Sequence, residues 1–372
     1  MQRLQQLTEW LHSQLPRETF TLAPASADAS FRRYFRATFA DGTTRIIMDA
    51  PPQHEDCRPF LHIAKLFEDA GIHVPHVYAQ DLQQGFLLLS DLGNTTYLQA
   101  LNAGTARELY GAATDALIKI QLASRENELP PYDEALLLRE MRLFPEWYVA
   151  KHLNITLTDK QHARLEEIFA RIVANNLAQP RVYVHRDYHS RNLMYIETPL
   201  SNSLGETTSH STRLQTAAAK SLVIPQAGER TNEKGNFLIS PGILDFQDAV
   251  YGPITYDLAS LFKDAYIRWE EAEIIDWLIR YWEKARKAGL PVADDFSVFY
   301  RDYEWMGVQR HLKVLGIFAR LYHRDGKDGY LKDLPLVMAY LRAACVRYID
   351  LKPLLNLLDE LEPQGNKVGY TF

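Results

Sequence analysis

The sequence predicts an α+β chain with two lobes: a small antiparallel β-rich N-terminal lobe and a larger, mostly helical C-terminal lobe. Three observations lead to this prediction. Strand-like segments predominate in residues 1–90, apolar residues recur at helical spacing through most of residues 96–372, and a short polar stretch at residues 91–95 lies between them. The chain has 372 residues, of which 47% are hydrophobic, so two units with their own cores are feasible.

The N-terminal lobe is predicted to contain helices and strands in an order that suits a small sheet. Asp41-Gly42 is a strong hairpin-turn pair, and Gly71 is a natural stop for a helix. The predicted elements are a helix at residues 4–11, strands at 31–39 and 43–49, a helix at 60–70, and strands at 76–79 and 85–89.

The C-terminal lobe is predicted to be helical except for two short strand segments, at residues 182–196 and 242–246. Helical patterns cover residues 106–122, 135–151, 159–177, 256–262, 272–288, 296–322 and 334–358. Residues 198–240 are rich in Ser, Thr, Asn, Gly and Ala, and we expect a flexible surface insertion there. An insertion between two paired strands is tolerated because the free energy of loop closure rises slowly with length.

Composition argues against several classes of partner. The net charge is -6 and the sequence pI is about 6.1, whereas nucleic acids and anionic membranes require concentrated Lys and Arg. The two cysteines, Cys57 and Cys345, form neither a disulfide framework nor a metal-binding pair by spacing. Residues 1–10 contain no apolar core of signal-peptide length, and the longest apolar runs are strand-sized. We therefore expect a cytoplasmic protein.

The strongest motif is His185-Arg186-Asp187, with Asn192 five residues after the Asp. It matches the pattern H-R-D-x-x-x-x-N of catalytic loops in phosphoryl transfer. In such a loop the Asp accepts the proton of the attacking hydroxyl, and the Asn turns back toward a Mg²⁺ ion. Apolar residues on both sides predict short buried strands that hold the loop rigid. The alternative is that Asp187 and Asn192 are turn residues with local hydrogen bonds.

A second motif places Asp245 at the end of a short apolar strand and before Phe246. This fits the metal-binding Asp of an Asp-Phe-Gly sequence, with Gln247 in place of the Gly. Mg²⁺ prefers oxygen ligands, and carboxylate, amide, water and phosphate oxygens would supply them. The alternative is that Asp245 caps a turn. Because both motifs occur in the expected order, they predict a protein-kinase-like bilobal fold that uses ATP and Mg²⁺.

These motifs, together with Tyr256-Asp257-Leu258-Ala259 downstream, resemble the aminoglycoside phosphotransferase and choline kinase superfamily. The resemblance implies that Asp187 is the catalytic base and that Asn192 and Asp245 hold the metal. It also implies that Asp257, together with His185, supports the catalytic loop. An acid at the start of a helix is also favoured by the helix dipole, so both explanations of Asp257 stay open.

Further segments resemble one group within this superfamily, the bacterial anomeric N-acetylmuramate/N-acetylglucosamine kinases. The segments are Ser-Phe-Arg-Arg-Tyr-Phe-Arg at residues 30–36, Met-Asp-Ala-Pro-Pro at 48–52, Phe-Pro-Glu-Trp-Tyr at 144–148 and Asp-Phe-Gln-Asp-Ala-Val-Tyr-Gly-Pro at 245–253. The resemblance implies ATP-dependent phosphorylation of the C1 hydroxyl of an amino sugar in cell-wall recycling. It leaves open which of the two sugars is preferred.

The segments predicted to bind the nucleotide lack two features of classical protein kinases, the Gly-rich loop and the Lys of the third strand. Residues 25–36 contain no Gly, and no Lys is found at residues 47–49, where a classical third strand carries one. Arginines 32, 33 and 36 are the candidates to bind phosphate instead, and we favour Arg32 or Arg33, although solvated positions are an equal alternative. Backbone groups from Leu89 to Asp91 are expected to pair with adenine.

On the substrate side, His189 and Arg191 lie within the catalytic loop and are candidates to touch substrate or phosphate, or to brace the loop. Trp147 and Tyr148 are candidates to stack on a pyranose ring, although aromatic residues at helical spacing also pack in cores. If the substrate is N-acetylmuramate, its lactyl carboxylate needs a cation, and Arg310 is one candidate.

Two alternatives to an amino-sugar kinase are considered. An aminoglycoside or other small-alcohol kinase would need an acidic cleft for a polycation, which the sequence Arg-His-Leu-Lys at residues 310–313 does not favour. A nucleotide-binding pseudokinase with a regulatory or scaffold role is suggested by the missing Lys. The retention of Asp187, Asn192 and Asp245 argues against it.

Overall fold

The computed structural model describes residues 2–27, 31–199 and 237–363. Most of the insertion predicted at residues 198–240 lies outside these ranges, and its first and last residues belong to two paired strands. Across the described ranges, no helix is both long enough and apolar enough to cross a membrane.

The N-terminal part contains a five-stranded antiparallel sheet in the order β1-β2-β3-β5-β4. Its strands are β1 (Phe20–Ala27), β2 (Arg33–Phe39), β3 (Thr44–Asp49), β4 (Val77–Asp81) and β5 (Phe86–Ser90). The turn between β2 and β3 lies at Asp41-Gly42 as predicted, and Gly42 has a φ of 83° that favours glycine. The sequence pattern does not indicate β1, because a register shift between Pro24 and Ser26 interrupts its alternation.

Two helices, α1 (Gln2–Gln14) and α2 (Arg58–Asp69), cover the two faces of this sheet. Because side chains alternate along a strand, Ile47 packs in the cluster with α1, whereas Met48 and Leu87 pack in the cluster with α2. The α2 helix thus lies between the sheet and the C-terminal part, where it contacts the site described below.

The C-terminal part is mostly helical. Its α-helices are α3 (Tyr97–Ala100), α4 (Ala106–Leu122), α5 (Glu134–Met141), α6 (Asp159–Leu177), α7 (Tyr256–Phe262), α8 (Glu271–Lys287), α9 (Phe296–Asp325), α10 (Leu334–Arg347) and α11 (Lys352–Leu361). The helix predicted at residues 135–151 is divided into α5 and a π-helix, Phe144–His152. Pro145, which has no backbone N–H, lies in the first turn of the π-helix and favours this break.

Two short antiparallel pairs of strands lie among these helices. They are β6 (Arg181–Val184) with β9 (Val250–Pro253), and β7 (Leu193–Pro199) with β8 (Phe237–Ile243). In the second pair Leu193 lies opposite Ile243. This register places the segment before β7 beside the segment after β8, and these two segments carry the two motifs found in the sequence.

The 30-residue helix α9 packs closely on the π-helix at Gly316. A Cβ atom at this position would lie 2.3 Å from the carbonyl carbon and 2.4 Å from the carbonyl oxygen of Leu143. These are backbone atoms, so neither can move aside without shifting the start of the π-helix. Gly307, on the same helix, has no neighbour closer than 3.4 Å to such an atom, and its nearest neighbours belong to the flexible Lys263 side chain.

We therefore expect Gly316→Ala to lower the free energy of unfolding by about 2–3 kcal/mol, because overpacking outweighs the better helix propensity of Ala. The matched change Gly307→Ala should be neutral or slightly stabilising. Urea unfolding followed by circular dichroism measures both, and equal stabilities of the two variants would contradict the close packing at Gly316.

Candidate active site

The catalytic loop predicted at His185 to Asn192 lies between the end of β6 and the start of β7. Its backbone is held by Asp257 at the start of α7, whose carboxylate accepts hydrogen bonds from the N–H groups of His185 at 2.7 Å and Arg186 at 3.0 Å. Arg186 has a φ of 76°, in the left-handed region that a non-glycine residue rarely adopts. Burial raises the pKa of Asp257 to about 7, while the two N–H donors oppose that rise. The buried carboxylate thus fixes a strained turn.

His185 connects this loop to the segment that carries Asp245. Its Nδ1 accepts a hydrogen bond from the backbone N–H of Asp187 at 3.2 Å, and its Nε2 donates to the carbonyl oxygen of Leu244 at 2.9 Å. Burial lowers the pKa of His185 to about 4, so the ring is neutral near pH 7 with its proton on Nε2. A neutral ring suits both hydrogen bonds, and it holds the two motif segments at a fixed separation.

Asn192 brings the three predicted reaction residues together. Its Nδ2 donates to the backbone carbonyl of Asp187 at 3.0 Å and lies 3.3 Å from Oδ2 of Asp245. Asp245 has a φ of 63°, and its Oδ1 accepts a hydrogen bond from Gln247 at 2.9 Å. Because Nδ2 is used within the protein, Oδ1 is the side-chain atom of Asn192 that is left for a ligand. The sequence prediction that these residues converge agrees with this geometry.

The carboxylate of Asp187 is not engaged by the protein. Across the described residues, no hydrogen bond or ion pair reaches its two oxygens. Burial raises the pKa of Asp187, but the positive charge of Lys313 and the cations around it outweigh burial and hold the pKa below its ordinary value of 3.8. The group is therefore ionised near neutral pH and free to accept a proton from a ligand.

Two cavities meet at these residues. One, of about 380 Å³, lies under the N-terminal sheet beside residues 89–94; we name it the nucleotide-side cavity. The other, of about 400 Å³, lies among α7, α9 and the catalytic loop; we name it the acceptor-side cavity. Asn192 and Asp245 line both cavities, as does Arg191, whereas Asp187 lines the acceptor-side cavity. The two cavities thus share the side chains of Arg191, Asn192 and Asp245 as a common wall.

The nucleotide-side cavity contains the predicted residues Leu89 and Asp91. Asp91 is held by Arg36, whose Nε donates to its carboxylate at 2.5 Å, and Arg36 also lines this cavity. Burial raises the pKa of Asp91, but its hydrogen bonds to Arg36 and Gly93 lower it below the ordinary value. The strand β5 and the following turn are therefore fixed by an internal ion pair.

The two arginines favoured from the sequence have different positions. Nη2 of Arg32 lies 3.8 Å from Oδ1 of Asp245, and its Nε lies 3.9 Å from Glu55, just before α2. Arg33 instead binds Asp49 on the neighbouring strand, with Nε donating at 3.0 Å, and it lines neither cavity. Arg32 also lines neither cavity, but of the two arginines it is the one that lies beside Asp245.

The residues predicted to bind the substrate do not all lie at the acceptor-side cavity. His189, Arg191 and Arg310 all line the acceptor-side cavity. Trp147 and Tyr148, the predicted candidates for stacking on a pyranose ring, line neither of these two cavities, so the structure does not bring them to the site. Tyr148 is buried in the core, and its hydroxyl donates to Glu362 at 2.9 Å. Trp147 packs against the same core.

Several residues that the sequence does not reveal line the acceptor-side cavity or support the catalytic loop. Asp264 does not line the cavity, but it accepts hydrogen bonds from the N–H groups of Ser190 and Tyr266, each at 3.0 Å, and so fixes the middle of the loop. Tyr266, Phe318 and Tyr330 supply aromatic walls. An acid two residues after the end of α7 is the local signal that could have pointed to Asp264.

A buried charged network lies behind the catalytic loop, centred on Glu140 of α5. Its carboxylate is bound by Lys313 at 2.9 Å, by Arg186 at 2.5 Å and by Gln309 at 3.1 Å, and it also accepts from the hydroxyl of Tyr132. Lys313 donates in addition to the Tyr256 hydroxyl at 3.0 Å. Burial raises the pKa of Glu140, but Lys313 and Arg186 outweigh it and lower the pKa to about 2.

This network makes stability depend on pH in acid. A carboxyl whose folded pKa is about 2, against an ordinary 4.5, stabilises the fold above pH 4.5 and loses that contribution as the pH falls toward 2. We expect the stability gap between wild type and Glu140→Gln to shrink by on the order of 2 kcal/mol between pH 6 and pH 3. Urea unfolding at each pH measures it. The exposed control Glu166→Gln should show little change, and a pH-independent gap for Glu140→Gln would contradict the role of the network.

The fold and the site together indicate a class of enzyme. A two-lobe α+β fold, with an Asp-Asn-Asp set where two cavities meet, is the arrangement of an enzyme that moves a phosphoryl group between two small molecules. The chain belongs to the phosphotransferase enzyme family, whose model matches residues 21–201 and 234–296. The prediction of a phosphotransferase is thereby confirmed.

Individual proteins are similar to this chain over its full length. An N-acetylmuramate/N-acetylglucosamine kinase of Neisseria meningitidis serogroup B is 46% identical over 377 residues, which cover 100% of each chain. Two solved structures share the fold. An ADP-bound aminoglycoside phosphotransferase has a TM-score of 0.54 at 13% identity and covers 90% of this chain and 97% of its own. A choline kinase from Streptococcus pneumoniae has a TM-score of 0.56 at 12% identity, covering 91% and 99%. The protein-kinase-like fold and the superfamily resemblance predicted from the sequence are confirmed.

Proposed function

We propose that this chain is an ATP-dependent kinase that phosphorylates the anomeric C1 hydroxyl of N-acetylmuramate, N-acetylglucosamine or both, in cell-wall recycling. The observation that carries the proposal is the meeting of the two cavities at Asn192 and Asp245, with the unengaged carboxylate of Asp187 facing the acceptor-side cavity. The substrates named for a relative that is 46% identical over the whole chain, the N-acetylmuramate/N-acetylglucosamine kinase of Neisseria meningitidis, support the substrate class.

In the proposed reaction, Asp187 orients the acceptor hydroxyl and takes its proton late, as the bond to phosphorus forms. Two features suit it to this task. Its backbone is fixed by the His185 hydrogen bond at 3.2 Å, and its lowered pKa keeps it ionised before the acceptor binds. Most of the rate enhancement would come from alignment and electrostatic stabilisation, because phosphoryl transfer needs little covalent help from the protein.

The donor atoms at the site fit a magnesium ion. Asn192 Oδ1 and the carboxylate of Asp245 are hard oxygen ligands, and both residues line the two cavities. We propose that these two residues hold Mg²⁺. When bound, the ion would neutralise charge on the β- and γ-phosphate oxygens. Gln247 and Asn192 would keep the Asp245 carboxylate oriented through their hydrogen bonds to it.

Positive side chains would replace the lysine that the third strand lacks. We propose that Arg32, next to Asp245 and Glu55, binds phosphate oxygens from the N-terminal side. Arg191, which lines both cavities and lies over the Tyr266 ring at 4.7 Å, would meet the transferred group from the C-terminal side. Residues 91–95 would act as the hinge between an N-lobe, residues 1–90, and a C-lobe, residues 96–372. Leu89 and Asp91 would receive adenine there.

The acceptor-side cavity suits a sugar better than an aminoglycoside. Among the described residues that line it, the only acids are Asp187 and Asp245, whereas Arg191, Arg310 and Lys313 are basic. A polycationic antibiotic would be repelled by this set. Tyr266, Phe318 and Tyr330 offer flat surfaces on which a pyranose ring can stack, in place of Trp147 and Tyr148. The joint placement of the three reaction residues also disfavours a pseudokinase.

The test is ³¹P NMR of the protein with ATP, Mg²⁺ and either sugar. A new phosphate signal that is coupled to an anomeric proton is the expected result, and it identifies both the acceptor and the C1 position. Phosphorylation at another carbon would correct the position alone. An aminoglycoside panel in the same assay should give no product. ADP release without any phosphorylated sugar would contradict the proposal.

A further inference from the structure

The guanidinium of Arg310, on α9, is a buried cation that forms no ion pair with the residues described by the structure. The residue is 5% exposed and lines the acceptor-side cavity. Its Nε and Nη1 are buried and have no hydrogen-bond partner, and no ion pair with Arg310 is found among the described residues. Burying an unpaired charge costs several kcal/mol, and proteins usually pair such a group or use it to bind a ligand.

The other cationic side chains around the cavity have partners among the described residues. Lys313 is paired with Glu140 at 2.9 Å, and Arg186 with the same carboxylate at 2.5 Å. Lys263, which follows α7 and contacts α9 at Gly307, is paired with Glu304 at 2.5 Å. Arg191 lies over two aromatic rings and reaches the nucleotide-side cavity. Arg310 differs from Arg191 because it lines the acceptor-side cavity alone, so its partner belongs to the acceptor and not to the triphosphate.

We propose that Arg310 binds a carboxylate carried by the acceptor, so that the enzyme prefers an acidic amino sugar to its neutral counterpart. The inference rests on the proposed function and extends it. Of the two sugars, N-acetylmuramate carries a lactyl carboxylate, whereas N-acetylglucosamine has a free hydroxyl at that carbon. A guanidinium–carboxylate hydrogen bond in a site shielded from water is strong, and with the neutral sugar the Arg310 donors stay unpaired.

The alternative role for Arg310 is purely electrostatic. Its charge also contributes to the low pKa of Asp187, which would help every acceptor equally. The two roles predict different results. A carboxylate partner makes the effect of a mutation depend on the sugar, mostly through KM, whereas an effect on Asp187 changes kcat for both sugars together and shifts the acid side of the pH profile.

The experiment compares kcat/KM for both sugars in wild type, Arg310→Gln and Arg310→Lys. We expect wild type to favour N-acetylmuramate by about tenfold or more, which corresponds to one charge-assisted hydrogen bond. Arg310→Gln should lower kcat/KM for N-acetylmuramate by about 30-fold and change N-acetylglucosamine less than about threefold. Arg310→Lys should recover part of the loss. Arg301→Gln, an exposed arginine on the same helix, should leave the ratio unchanged.

A measurement on the wild-type enzyme covers the case in which Arg310 variants do not fold. The methyl ester of N-acetylmuramate keeps the shape of the lactyl group without its charge, and its KM should be about tenfold higher than that of the acid. Equal kcat/KM for acid, ester and N-acetylglucosamine, or an equal loss for both sugars in Arg310→Gln, would overturn the inference and leave the proposed function intact. If wild type phosphorylates neither sugar, the proposed function itself is wrong.

Discussion

Asp187→Asn is expected to lower kcat by about 10³-fold, with the sugar and ATP affinities nearly unchanged. The substitution preserves size and removes the group that accepts the hydroxyl proton, and loss of a general base typically costs 10²- to 10⁴-fold. The fold should be unaffected, because no hydrogen bond within the described residues reaches the carboxylate of Asp187. Coupled ADP-release kinetics at saturating ATP and sugar measure the loss.

The pH profile provides the second half of this test. Because the pKa of Asp187 is held below 3.8, the group should be ionised at every pH from 5 to 8 and contribute no acid limb to kcat/KM in that range. Unfolding temperature and ADP binding, measured on the same Asn variant, serve as controls. Turnover by Asp187→Asn within tenfold of wild type would show that another group accepts the proton.

Asp245→Asn is expected to have a comparable effect by a different route. An amide is a weaker ligand for Mg²⁺ than a carboxylate, and the charge that it removes faces the phosphates. We expect kcat/KM for ATP to fall by about 10²- to 10⁴-fold at a fixed Mg²⁺ concentration, with partial recovery as Mg²⁺ is raised. Activity titrated against Mg²⁺ at constant ATP distinguishes this result from simple misfolding.

A matched control lies three residues away. Asp248 is exposed and lines neither cavity, so Asp248→Asn should keep both the activity and the Mg²⁺ dependence of wild type. An Asp245→Asn enzyme with an unaltered Mg²⁺ requirement would contradict the assignment of this carboxylate as a metal ligand. If Asp245→Asn and Asp248→Asn both kept the wild-type Mg²⁺ dependence, the metal would have to be bound by other residues.

The parts of the site that could be predicted from the sequence are local ones. Asp187 and Asn192 are five residues apart in one loop, and Asp245 lies two residues after the end of β8, which pairs with the strand that follows that loop. Their spacing is therefore set by the backbone. The Glu140 network could not be predicted in this way, because its charged partners, Arg186 and Lys313, are 46 and 173 positions away and their contacts depend on how α5 and α9 pack.

The sequence does not show which face of α9 lines the acceptor-side cavity. Arg310, Lys313, Val314 and Ile317 share the cavity-lining face of α9, whereas the adjacent His311 stacks on Tyr340 in the interior. The sequence predicts that a helix is present, but both faces of α9 contain polar and aromatic residues. Which face meets the cavity depends on tertiary packing, of which the close approach of Gly316 to Leu143 is one part.

The meeting of the two cavities at Asn192 and Asp245 has a stereochemical consequence. With donor and acceptor in cavities that share these residues, the acceptor oxygen would bond to the γ-phosphorus in line with the bond to the β–γ bridging oxygen, which breaks as ADP leaves. If the γ-phosphate of ATP is made chiral with oxygen isotopes, the sugar phosphate should have the inverted configuration at phosphorus. A covalent phosphoenzyme intermediate would invert the configuration twice and so give net retention.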